Sequence, residues 1–122
     1  MRDLPNTECS VYVIGFDLDK APSKVGIAVD PPKRLASLQT AHFQRLKLAG
    51  GWATPDRECA RALEEAFHHT QRKARLSGEW FDLSPKQCMI LLKIGYGVML
   101  NVAAGLEPEE VDTILADAEW CA

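Results

Sequence analysis

Long apolar runs are missing from this sequence. No stretch approaches the roughly 18 uninterrupted apolar residues of a membrane-spanning helix, so helical membrane proteins are excluded. The opening Met1-Arg2-Asp3-Leu4-Pro5-Asn6 lacks the apolar core of a secretory signal. The cysteines, Cys9, Cys59, Cys88 and Cys121, lie far apart, and no pair has the C-x-x-C spacing of a zinc knuckle or redox site. Reduced thiols in a cytoplasmic protein are the expectation. Internal repeats and low-complexity tracts are absent too. So is an excess of positive charge: the net charge is −3.

What is present suits one globular domain with a single core: 122 residues, 47% hydrophobic and 25% charged. Charge is unevenly spread. Residues 33–75 carry nine basic and four acidic side chains, whereas residues 84–122 carry two basic and six acidic. The first window offers a local basic surface, which a phosphate-bearing ligand needs, and Lys33, Arg57 and Arg61 are candidates to contact it.

The chain is organised around residues 11–34. Val11-Tyr12-Val13-Ile14 and Lys24-Val25-Gly26-Ile27-Ala28-Val29 are short β-branched runs on either side of a polar loop, which predicts a hairpin with strands over 11–16 and 23–29. Asp30 suits an N-cap and Pro31 a first helical position, so a helix is expected over 31–40. Alternation from Arg45 predicts a third strand over 45–53, and Gly50-Gly51 within it suggests a bulge or a close backbone approach. Thr54-Pro55 reads as the start of a helix over 55–76, with Ala60, Leu63, Phe67, Thr70 and Ala74 as its core stripe. Glu64 and His68 fall beside that stripe, where a cleft wall would stand. Glu79 to Leu83 reads as a short strand or extended return, with Trp80 and Phe81 as structural core residues. Ser84-Pro85-Lys86-Gln87 is a capping box, opening an apolar helix that ends near Gly105. A fourth helix starts at Pro108 with acids in its first turn.

These residues resemble the GIY-YIG nuclease superfamily, in particular the phage and bacterial branch with lysine in place of the second tyrosine. The resemblance rests on Tyr12, Lys24-Val25-Gly26, Arg34, Glu64-Glu65-Ala66-Phe67-His68 and Gly78-Glu79-Trp80-Phe81, in that order. It covers about residues 11–83. It implies an α+β fold: a small three-stranded antiparallel sheet flanked by helices, with two additional C-terminal helices. Residues 1–83 would then be the nuclease-like domain, and 84–122 a helical extension packed on it or on a partner.

The resemblance further implies metal-dependent phosphodiester hydrolysis by an endonuclease or nicking enzyme acting on DNA. Glu64 would hold one Mg2+ or Mn2+, since hard cations prefer oxygen ligands. Arg34 would stabilise charge on the phosphate, and Tyr12 would act as general base or hold the attacking water. Lys24 would assist Tyr12 or contact phosphate, and His68 would relay a proton or orient a water. Gly26 would serve a structural role. The alternative is a catalytically inactive module of the same fold that binds nucleic acid or protein. The expected partner of the chain is nucleic acid, DNA foremost, with a homodimer or larger assembly formed through the C-terminal helices and no membrane contact. The sequence carries no second DNA-binding module.

Overall fold

The computed structural model describes residues 8–121. The sequence before the first β-branched run reads as a loose lead-in over residues 1–10; residues 1–7 lie outside the described part, and within it the first strand already begins at Cys9. A first strand, β1 (Cys9–Asp17), turns at Leu18-Asp19 into β2 (Lys20–Ala28). The connection is therefore tighter than the polar composition of residues 16–23 suggests. β1 pairs antiparallel with β2 on one side and with β3 (Lys47–Thr54) on the other.

The sheet is larger than a three-stranded one. It has six strands in the order β4-β5-β2-β1-β3-β6, all pairs antiparallel. The additions are short: β4 (Arg75–Ser77) and β5 (Trp80–Phe81) beyond β2, and β6 (Glu119–Cys121) beyond β3. Two- and three-residue strands carry no readable alternation, which is why the small-sheet expectation fails. β6 packs against a glycine pair. A Cβ at Gly51 would stand 2.6 Å from the Trp120 ring, so only glycine lets the last strand approach. The β1–β3 register also shifts between Val13 and Ile14, opposite Gly50 and Leu48.

Seven consecutive residues of β1, Cys9 to Gly15, are buried because helices cover both faces. On one face Val11, Val13 and Val25 pack with Ala60, Leu63 and Phe67 of α2 (Arg57–Thr70). Cys88, Leu92 and Tyr96 of α3 (Pro85–Val98) and Val111 and Leu115 of α4 (Pro108–Ala118) join the same cluster. Each large apolar side chain buried there contributes about 1.5–3 kcal/mol. On the other face Tyr12 and Ile14 pack with Leu35 and Leu38 of α1 (Pro31–Gln39).

Asp30 caps α1 through Lys33 N at 3.1 Å, and Ser84 and Gln87 form the reciprocal capping box of α3. α2 differs from expectation at both ends. Asp56 is its N-cap, accepting from Cys59 N at 2.8 Å, while the Thr54 hydroxyl lies 2.8 Å from both the Cys9 and the Asp56 carbonyl and shares its one proton between them. It stops at Thr70, which is exposed; a short 3-10 turn over Arg72–Ala74 leads into β4. Past α3 the chain continues as a π-helical segment, Met99–Ala103. No helix among the described residues is long and apolar enough to cross a membrane. All four cysteines are free thiols.

Candidate active site

The site lies where β2 runs out of neighbours. β5 pairs with β2 only at Ser23 and Lys24. At the next residue, Val25, the N–H donates to the Glu79 carbonyl at 3.1 Å. The Val25 carbonyl faces His68 Nε2 at 3.2 Å. A carbonyl only accepts, so that ring nitrogen carries the proton and Nδ1 keeps its lone pair in the neutral ring.

Gly26 follows, paired with Tyr12 across the β1–β2 ladder. A Cβ there would stand 2.6 Å from the Tyr12 hydroxyl oxygen and 3.1 Å from Glu79 Oε1. The missing side chain leaves a notch, and the phenol and the carboxylate meet in it. Arg34, one turn beyond the Asp30 cap of α1, is exposed and faces the Tyr12 hydroxyl. Lys24 is buried and its ammonium is ion-paired to Glu79 Oε1.

Glu64 and His68 come from α2, on the opposite face of the sheet from Tyr12. They are four residues apart and share a helix face. The uncovered edge of β2 is what lets them reach the same place as the residues of the other face. One ligand-capable atom from each of Glu64, His68 and Glu79 lies within 4.8 Å of the other two. The His68 ring is further held edge-on to Phe81, centroids 4.9 Å apart.

Burial sets the electrostatics. It pushes the Tyr12 phenol above its ordinary value, with the facing Arg34 guanidinium pulling the other way. The Glu64 carboxyl is pushed up to about 7, first by burial and next by the charge of Glu79 beside it. One Glu64 oxygen, Oε2, is buried with no hydrogen-bond partner. Two crowded carboxylates, one of them with an orphaned oxygen, and a histidine make a donor set that suits a divalent cation.

Beside the notch, a groove of about 410 Å³ runs between the end of β2, α1 and the start of α2. Lys33, Arg34 and Arg57 line it together with the single acid Asp30, giving a net cationic track, and Arg34 also faces Tyr12. Arg61 is exposed on α2 and does not line the groove.

Of the site residues expected from sequence, Tyr12, Lys24, Gly26, Arg34, Glu64 and His68 thus surround one edge of β2, although Lys24 points to Glu79 and Arg34 to Tyr12. Trp80 is half-buried and stacks on Phe16, ring centroids 5.7 Å apart, with His42 tilted against both. Glu79 joins the site residues, although neither helix periodicity nor strand alternation assigns it a role. Its signal is the Gly78-Glu79-Trp80-Phe81 segment: Gly78 takes a positive φ of 57° in the β4–β5 turn, which returns Glu79 to β2.

The family profile of the T5orf172 domain, a phage-associated domain related to nuclease-type folds, matches residues 10–96. The match runs from β1 through most of α3 and contains every residue of the notch and groove. No curated protein and no solved structure matches the chain.

Proposed function

The chain belongs to the T5orf172 domain family, and from that premise we propose that it is a metal-dependent phosphodiester hydrolase of GIY-YIG type, nicking or cutting DNA in the cytoplasm. One observation carries the reading: Tyr12 of β1, Arg34 of α1 and a carboxylate-histidine cluster built from α2 and the β4–β5 turn gather around the Gly26 notch, where Tyr12 and Glu79 meet.

The division of labour follows from the chemistry. Arg34 offers its planar guanidinium to a phosphate at the end of the cationic groove. Tyr12, kept neutral by burial, can hold an attacking water through its oxygen and donate its own proton to a phosphate oxygen. Lys24 balances the charge of Glu79. Val25 fixes the tautomer of His68. Glu64 is the residue that would hold the cation, Mg2+ or Mn2+, and a cation so held supplies Lewis-acid stabilisation of charge on the phosphoryl oxygens.

The test is nicking of supercoiled plasmid by purified protein, with Mg2+ or Mn2+ added and with chelator. Conversion to open circles that chelator stops supports the reading. DNA binding without cleavage of plasmid, nicked or branched DNA would replace the enzyme with a binding module.

A further inference from the structure

Glu64 does not stand alone. His68, one helical turn along, and Glu79, delivered by the β4–β5 turn, bring further ligand atoms within 4.8 Å. Ligands on one cation of this size lie about 3 Å apart when adjacent and about 4 Å apart when opposite, given metal–ligand bonds near 2.1 Å. Small side-chain adjustments therefore suffice to bring the three together. His68 is prepared for the task. Its Nε2–H is anchored on the Val25 carbonyl, which leaves Nδ1 as the nitrogen with a free lone pair. Metal-binding histidines are commonly anchored in this way. Phe67 and Phe81 hold the ring edge-on. Glu79 is held by Lys24 through one oxygen, Oε1. The buried Oε2 of Glu64 has no other partner to lose.

We infer that Glu64, His68 and Glu79 together form a mixed nitrogen–oxygen metal site that prefers a transition-metal dication such as Mn2+ over Mg2+. Imidazole suits the later first-row dications best; Mn2+, at the start of that series, still accepts a nitrogen beside carboxylate oxygens, whereas Mg2+ favours oxygen donors and keeps its waters. The inference rests on the hydrolase reading for the cation's purpose, but not for its ligands.

The full chain, stripped of metal, is titrated with Mn2+ and with Mg2+, and bound Mn2+ is read by pulsed electron paramagnetic resonance for coupling to nitrogen. Wild type should bind Mn2+ at least about tenfold more tightly than Mg2+ and show directly coordinated nitrogen. His68→Phe keeps an aromatic ring against Phe81 and should lose the nitrogen signal. Glu79→Gln, a second and milder variant, should weaken Mn2+ about tenfold or more, in the range found when the surroundings of a metal site are altered. Wild type without nitrogen coupling, or both variants binding Mn2+ as wild type does, would overturn the inference. If the protein nicks DNA with an oxygen-only Mn2+ signal, the three-ligand site fails and the hydrolase reading stands. If nitrogen-coupled Mn2+ is bound and no DNA is cut, the site stands and the hydrolase reading fails.

Discussion

Gly26 and Tyr12 face each other across the β1–β2 ladder with no room for a side chain between them. A Cβ at position 26 would stand 2.6 Å from the phenol oxygen and 2.8 Å from the ring carbon that bears it. Tyr12 is 1% exposed and cannot swing away freely. Gly26→Ala should therefore displace the phenol, cost about 1–3 kcal/mol of stability as overpacking does, and reduce nicking more than tenfold. Thermal melting and plasmid nicking check both parts; an alanine variant with wild-type activity would show that the phenol's position is unimportant.

Tyr12→Phe separates the hydroxyl from the ring. The fold should change by no more than about 1 kcal/mol, the net worth of one polar contact, while turnover falls about a hundredfold or more if the hydroxyl holds the attacking water. Burial raises the phenol's pKa despite Arg34. The free protein should thus show a tyrosine that ionises above the ordinary value of about 10. Ultraviolet titration of wild type against Tyr12→Phe measures it.

Glu64 gives a pH signature in the metal-free protein. Its carboxyl is raised to about 7 in the fold, by burial and then by Glu79, against about 4.3 in an unfolded chain. The unfolded state therefore releases its proton first, and stability should fall as pH rises from about 4.3 to 7. Glu64→Gln should flatten that segment of the melting-temperature profile, measured in chelator. Equal slopes in the two proteins would contradict the assignment.

The cationic groove predicts how binding depends on salt. Lys33→Ala and Arg57→Ala should each weaken DNA affinity across sequences and lower the slope of log affinity against log salt by about 1. Arg61→Ala, outside the groove, should change the slope less. Fluorescence anisotropy over a salt series distinguishes them.

Much of this was legible in the sequence because it is local. The β-branched runs around Tyr12 and Val25 specify the central hairpin, and Asp30 and the Ser84–Gln87 box mark helix starts through single hydrogen bonds. The rest depends on distant contacts. β6 is placed by Trp120 packing against Gly51 and bonding Ser10, 110 residues away in sequence. Ala74 continues the helical spacing of α2, but the backbone leaves the helix at Thr70 to form the β4–β5 turn. That same turn makes Glu79 a partner of Lys24, Glu64 and His68, a relation no spacing along the chain reveals. The ring contacts of His42 with Phe16 and Trp80 depend on the same folding-back of separate segments.

The most direct test compares wild type with Glu64→Gln on one labelled DNA duplex, measuring binding and cleavage separately with Mg2+ or Mn2+ present. The amide keeps the shape of Glu64 and removes its negative charge. Cleavage should be abolished while binding is retained or tightened, because a negative group beside the phosphates is gone. Cleavage by Glu64→Gln at the wild-type rate would contradict the account.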